Sequence, residues 1–372
     1  MSRRLVLSGA GVGLALLAVA GVMTLQTSPS TKPSTMDLWA RGALAGANVY
    51  QRRVFTQDPE EITVQGPVVP RYEQSDFDAL AETGANLVVL SHPGPFTEVP
   101  PYEPDTAVMN NLDRLVSMAD DAGLSAVIAL RTGPGRNELS FAPDQAGTWF
   151  QASEILETVW TDPEAQAGWA AMWDFTARHF AGNPAVVGYD LLVEPNTTET
   201  PDTPDAGAAW NDLAARLADV VRRVDPDTPI LLSPDGWASA GLLPVLEPPA
   251  VGPLVLNVHL YEPSPFVYEG DGDLDDAIGQ MTADLDATVA TAQRWGVPAA
   301  MLEFGAVPSL GAPAYLAEAT RSARERSMST AVWLWEPESA DWPRDPLAVS
   351  ARTSIPADDR LRALERQWEK AQ

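Results

Sequence analysis

The sequence predicts a (β/α)8 barrel built as a single domain. Three observations carry that expectation. Short, nearly continuous apolar runs alternate with longer amphipathic ones eight times between residues 43 and 369. Connections that follow the apolar runs are long and those that precede them are short. No Gly-x-Gly-x-x-Gly turn follows the first apolar run, which disfavours the runner-up, a doubly wound open sheet.

The strands are expected at 43–49, 86–90, 125–130, 185–192, 230–233, 254–260, 299–304 and 330–335. Their lack of polar alternation is the pattern of parallel strands covered on both faces. The helices are expected at 74–82, 107–122, 163–180, 206–224, 238–246, 274–295, 313–326 and 356–369. Several carry start signals, such as Asp162-Pro163 and the pair Asp275 and Asp276. The long connections, 92–106, 132–161, 196–205 and 262–273, are rich in Pro, Gly and acids. They mark the C-terminal strand ends as the working face, where barrels of this type place their chemistry.

Ahead of the barrel, Ser2-Arg3-Arg4 and the apolar run from Leu5 to Leu25 form an export signal or a retained membrane anchor over residues 1–26. Ala18-Val19-Ala20 fits a small-x-small cleavage site. A Ser/Thr/Pro linker is expected at 27–36 and the folded domain at 37–372. The protein is therefore expected to be exported (periplasmic, secreted or anchored at the outer face), with membrane attachment only through this segment, and monomeric.

Of the 372 residues, 51 are acidic and 24 basic, giving a formal charge of −27 that repels phosphate backbones and argues against nucleic-acid binding. Absence of cysteine excludes disulfides, thiol nucleophiles and thiolate metal sites. With three histidines, His92, His179 and His259, the chemistry has to come from carboxylates, arginines and aromatics. The acidic stretch from Glu269 to Asp276 lacks the Gly and Glu that a calcium loop needs at its sixth and twelfth positions, and suits a helix-capping loop.

Four strand ends carry distinctive residues. The fourth reads Gly188-Tyr189-Asp190-Leu191-Leu192-Val193-Glu194-Pro195-Asn196, and the sixth ends Asn257-Val258-His259-Leu260-Tyr261. The seventh reads Ala300-Met301-Leu302-Glu303-Phe304-Gly305, and the eighth ends Val332-Trp333-Leu334-Trp335. Each alone has a bland explanation, such as a helix cap, a structural histidine or a core tryptophan. Together they converge on one mouth of the barrel.

This set resembles glycoside hydrolase clan A, and within it family 5, the cellulase-like family. By that resemblance Glu194 is the acid/base and Glu303 the nucleophile of a retaining β-glycosidase working by double displacement. His259, Tyr261 and Trp333 occupy the family's sugar-binding positions, with Trp335 and Asn196 as further candidates. The resemblance runs from Asp37 to Trp342 and implies a carbohydrate substrate and no metal or organic cofactor. Two positions depart from the family: Val193 stands where Asn precedes the acid/base, and Val89 where Arg ends the second strand. Arg131 and His92 are the candidate substitutes. A catalytically weak or silent barrel that only binds carbohydrate is the alternative. Trp149, Trp160 and Trp237 fall in working-face loops as candidate outer sugar platforms.

Overall fold

A computed structural model of the protein describes residues 33–53, 68–148, 150–198, 200, 207–337, 345–349 and 359–369. The expected segment 1–26, most of the linker and Trp149 lie outside the described residues.

Eight parallel strands close into a barrel: β1 (Ala45–Tyr50), β2 (Leu87–Pro93), β3 (Ser125–Thr132), β4 (Val186–Asp190), β5 (Ile230–Leu232), β6 (Leu254–Leu260), β7 (Ala299–Phe304) and β8 (Ser329–Val332). Each pairs with its sequence neighbour, and β8 returns to β1 through Ala45 opposite Thr330. Strands β6 and β7 have the expected bounds. Strand β8 stops three residues short of expectation: past Val332 the Trp333 amide still donates to Phe304 of β7 and the Trp335 amide to Asn48 of β1, each at 2.8 Å, while the Leu334 carbonyl accepts from the Val349 amide at 3.0 Å.

Helix α1 (Thr35–Ala40) precedes the barrel, beginning inside the expected linker. Ser34 starts it with a capping box: its hydroxyl accepts the Asp37 amide proton and its own amide donates to the Asp37 carboxylate. The outer layer comprises α2 (Gln74–Glu82), α3 (Thr106–Asp121), α4 (Pro163–Phe180), α5 (Ala208–Val224), α6 (Leu274–Trp295), α7 (Ala312–Glu325) and α8 (Arg360–Trp368). Asp162 caps α4 and Asp273 caps α6, so the acidic stretch before α6 does serve as a helix cap. Residues 356–358 of the last expected helix lie outside the described residues.

The helix expected at 238–246 does not form. Gly236, Trp237 and Ala238 turn through left-handed backbone (φ 64°, 63° and 58°), and a 3-10 segment, Ala240–Val245, follows with Pro244 inside it. Proline removes an amide donor and clashes with the preceding turn, so this stretch cannot sustain an α-helix.

Two apolar layers flank the strands. Inside the barrel lie Leu87, Val89, Val127, Ala129, Val187, Leu231, Val255, Ala300, Leu302 and Ala331; the alternate residues Val88, Leu90, Ile128, Leu256 and Met301 face the helices. Trp39 of α1 joins the inner layer and is fully buried. Burial of a large apolar side chain contributes about 1.5–3 kcal/mol, so α1 is a stabilising part of the barrel rather than a linker end. Gly46 is required here, since a Cβ at that position would sit 1.8 Å from the Leu87 carbonyl oxygen.

Register shifts interrupt the ladder beside both strands that lead into the glutamates. Opposite β3, Ala126 and Val127 pair with Val186 and Gly188, leaving Val187 as an extra residue. Its carbonyl accepts a hydrogen bond from Trp39 Nε1 at 2.8 Å. Opposite β6, Val258 and His259 pair with Met301 and Glu303, leaving Leu302 extra.

Candidate active site

Toward the C-terminal ends of the strands the barrel interior changes from apolar to polar. Asn48, Ser91, Arg131, Asp190, Ser233, Asn257, His259 and Glu303 are all buried there. Buried polar groups need partners, and several of these find them across strands. Asn48 Nδ2 donates to the Leu302 carbonyl at 2.7 Å, tying β1 to β7. Asn257 Nδ2 lies 3.1 Å from Ser233 Oγ and 3.4 Å from Asp190 Oδ2, tying β6 to β5 and β4.

The bulge at Leu302 decides where Glu303 points. Ala300 and Leu302 face the barrel interior, so strict alternation would turn residue 303 out toward the helices. The extra residue reverses that parity: Phe304 packs in the outer layer and Glu303 lines the mouth.

Glu194 lies beyond the end of β4 in left-handed backbone with φ 53°. For a non-glycine residue this costs about 1–2 kcal/mol and persists only where neighbours hold it. Arg136 is the holder. Its buried guanidinium donates from Nη1 to the Val193 carbonyl at 2.6 Å and from Nη2 to the Glu194 carbonyl at 2.8 Å. Burial pulls this arginine down to about 10, with Glu157, 3.7 Å from its Nε, opposing the shift.

The two glutamates face each other across His259. Its Nδ1 lies 3.0 Å from Glu194 Oε1 and 3.4 Å from Glu303 Oε2, and the nearest ligand atoms of the three side chains all fall within 4.8 Å. Tyr261 donates its hydroxyl to Glu303 Oε2 at 3.0 Å. Burial, reinforced by the Glu194 charge, pushes Glu303 up to about 7 against the opposing pull of His259 and Arg131. Burial also disfavours an ionised Glu194, but the His259 hydrogen bond, together with the Arg131 and Arg136 charges, outweighs it and holds this carboxyl below its usual range. Burial works against a charged His259, while Glu303, Glu194 and Asp190 together raise it. These three are the one grouping of metal-ligating side chains found among the described residues.

Around the pair opens a cleft of about 610 Å³. Arg131 forms part of its wall, with its guanidinium carbon 3.8 Å from the Phe141 ring centroid, 5.0 Å from that of Tyr50 and 5.4 Å from that of Trp333. Burial lowers its pKa, but Glu138 at 3.5 Å, with Tyr50 and both glutamates, more than offsets that, and it stays charged. Trp333 presents its ring to the cleft and anchors Nε1 on Asp345 Oδ2 at 3.1 Å. Trp237 stands across from Phe141, with ring centroids 6.0 Å apart, and Tyr268 stacks on Tyr261 at 5.7 Å.

Glu194, Glu303, His259, Tyr261, Trp333, Arg131 and Trp237 thus gather in one cleft. His92, Trp335 and Asn196 do not line it. His92 follows the inward-facing Ser91 and so turns outward to α3; its Nδ1 donates to the Pro93 carbonyl at 2.7 Å and its Nε2 accepts from Asn111 at 2.8 Å. Burial lowers its pKa to about 4, the behaviour of a neutral structural histidine. Trp335 donates Nε1 to the Asp76 carbonyl of α2 at 2.9 Å, because β8 has ended at Val332 and strand alternation no longer places 335 beside 333. Asn196 is buried, with Oδ1 3.4 Å from Arg136 Nη2. Trp160 packs edge-on against Trp210 and is no platform.

Tyr50, Glu138, Phe141, Tyr268 and Asp345, none of them singled out from the sequence, also stand at or beside the cleft. Tyr50 ends β1, and the other four are placed by the conformations of the segments that follow the strands, which leave no local signal. Val89 and Val193 both lie in the inner apolar layer, so neither position offers a polar group to the cleft.

A closed parallel barrel whose mouth pairs two glutamates at this separation defines the class of barrel glycosidases. The chain belongs to glycosyl hydrolase family 5: the family's Cellulase model matches residues 56–339. A probable glucan 1,3-beta-glucosidase A of Aspergillus fumigatus is 30% identical over 169 residues, 45% of this chain and 37% of that protein. Endoglucanase C of Acetivibrio thermocellus is 22% identical over 61% of this chain and 59% of its own length. The chain therefore spans little more than a third of the fungal relative's length. The structure of an endoglucanase of Thermotoga maritima superposes with a TM-score of 0.66 at 18% identity, covering 89% of this chain and all of that one. A hyperthermophilic endo-beta-1,4-glucanase in complex with substrate matches equally well, with a TM-score of 0.66 at 17% identity. At such identities these two likenesses speak for the fold.

Proposed function

We propose that the chain is an exported glycosidase that hydrolyses β-glucans with retention of configuration, through a glycosyl intermediate on Glu303. One observation carries the reading. The nearest ligand atoms of Glu194, Glu303 and His259 lie within 4.8 Å of one another. Retaining glycosidases hold their carboxyls about 5–5.5 Å apart, whereas inverting ones leave about 6.5–9.5 Å for a water.

In the first step Glu303 attacks the anomeric carbon and the glycosidic C–O bond breaks, with Glu194 donating its proton to the departing oxygen. In the second, Glu194 takes a proton from water, which attacks the same carbon and releases Glu303. In the resting pair a proton is held more readily by Glu303 than by Glu194, and catalysis needs it on Glu194. The Tyr261 hydroxyl and the Arg131 charge both favour ionised Glu303 and so support that redistribution. Trp333, Trp237 and Tyr268 offer ring faces to sugars on either side of the scissile bond.

The glucan assignment follows the names of the relatives, and export follows the apolar run from Leu5 to Leu25. Val89 and Val193 favour the alternative, a barrel that binds carbohydrate without cleaving it, but the complete Glu194–His259–Glu303–Tyr261 set outweighs them. An activated 2-deoxy-2-fluoro-β-glucoside discriminates. Mass spectrometry should find one fluoroglycosyl group on Glu303; a chain that binds β-glucan yet never acquires the label would establish the binding-only reading. A panel of β-1,3- and β-1,4-glucans then reads the linkage, and the mature N-terminus from an exporting host shows whether the leader is removed.

A further inference from the structure

The bulge between β6 and β7 has a chemical consequence beyond aiming Glu303. Leu302, as the extra residue, has an amide N–H outside the strand ladder, and that group must be satisfied inside the barrel. Asn257 Oδ1 accepts it at 3.0 Å. A backbone amide can only donate, so the oxygen end of the Asn257 side chain is fixed and its Nδ2 must face the other way. Nδ2 carries two hydrogens and has three acceptor-capable atoms within reach, Ser233 Oγ at 3.1 Å, His259 Nε2 at 3.3 Å and Asp190 Oδ2 at 3.4 Å, and it can itself accept from none of them.

We infer that Asn257 is a positioning residue that holds His259 as the neutral tautomer protonated on Nδ1, so that this single N–H is shared between Glu194 and Glu303. A proton on Nε2 would point at the Asn257 N–H group, a donor against a donor. With Nε2 accepting, the ring's one hydrogen sits on Nδ1, facing Glu194 Oε1 at 3.0 Å and Glu303 Oε2 at 3.4 Å. The charges facing the ring are Glu194 and Asp190 from the β4 segment and Glu303 from β7, with Arg131 and Arg136 acting on Glu194. All three carboxylates favour an imidazolium, and the Asn257 amide opposes it. A neutral ring leaves the shared proton on the glutamate pair, where an acid/base cycle can use it. A fixed cation there would pull both carboxyls down and discharge the general acid.

This inference rests on the glycosidase reading only for its catalytic consequence, and its test separates the two. The full chain has three histidines, so 15N-histidine labelling gives three ring systems, assigned by substituting His92 and His179 singly. Long-range 1H–15N correlation at pH 7 should show His259 neutral, with the proton on Nδ1. Asn257→Asp keeps an acceptor for Leu302 but replaces the donor facing Nε2 with an oxygen, so His259 should become doubly protonated. The alkaline limb of the kcat/KM profile on an aryl β-glucoside should then move down by about one pH unit. A parent His259 that is cationic or protonated on Nε2 at pH 7 overturns the inference, whether or not the variant folds. So does a folded Asn257→Asp chain with an unchanged ring state. A parent chain with no glycosidase activity but a neutral Nδ1–H ring refutes the proposed function alone and leaves the positioning role intact.

Discussion

Arg136→Lys tests the idea that the Glu194 carboxylate, the proposed acid/base, is held in place by an arginine that does not line the cleft. Arg136 spans two carbonyls with two nitrogens, Nη1 to Val193 at 2.6 Å and Nη2 to Glu194 at 2.8 Å, and both bonds flank the left-handed residue. A lysine ammonium keeps the charge beside Glu157 but is a point donor on a flexible stem, and it cannot bridge both oxygens in the same geometry. One charge-assisted hydrogen bond to a buried carbonyl is worth about 1.5–3 kcal/mol. The backbone strain it offsets at Glu194 is about 1–2 kcal/mol, comparable in size. Losing the clamp should therefore let Glu194 relax toward ordinary backbone and lower kcat/KM by about 2 kcal/mol, roughly 30-fold. The fall should sit mainly in kcat, because the ring faces proposed to bind sugar are unmoved. The assay is steady-state hydrolysis of an aryl β-glucoside, with urea unfolding run alongside to measure the stability lost. A folded Arg136→Lys chain whose kcat lies within twofold of the parent would refute the clamp.

Two more predictions rest on charge. Burial and the neighbouring carboxylate raise Glu303 from its ordinary 4.5 to about 7 in the folded chain, so its stabilising contribution is fully present below about pH 4.5 and is lost as pH rises through 7. Glu303→Gln mimics the protonated form and should be more stable than the parent at pH 8, by a few kcal/mol at most, with the gain vanishing by pH 4; equal unfolding midpoints at pH 8 would contradict this. The surplus of acids, −27 in formal charge, should make the chain gain a few degrees in melting temperature between about 0.1 M and 1 M NaCl, as the screening length falls from about 10 Å to about 3 Å; a midpoint that stays level or drops would count against salt adaptation.

The amino-acid sequence by itself determined the barrel and its working end. Eight apolar runs, too short for helices and too uniformly apolar for exposed sheet, leave a closed parallel barrel as the economical way to cover both faces. Long acidic loops after the strands placed Glu194, His259, Tyr261, Glu303 and Trp333 at one mouth. These are local properties, readable because strand burial and loop length leave their mark in composition.

Only the tertiary structure decided which of those side chains face the cleft and with what chemistry. Alternation misplaces Glu303, because it depends on an extra residue at Leu302 that exists only in the pairing of β7 with β6. His92 and Trp335 carry the right chemistry but turn to α3 and α2, since one follows the parity of β2 and the other lies past the end of β8. Glu194 owes its backbone to Arg136, 58 residues earlier, and His259 owes its ring state to an amide oriented by the Leu302 N–H. The failed helix at 238–246 places Trp237 beside Phe141 through left-handed backbone that no periodicity reveals. Side-chain direction, backbone strain and protonation depend on groups distant along the chain, and they are set only when the barrel closes and every buried donor has to find its acceptor.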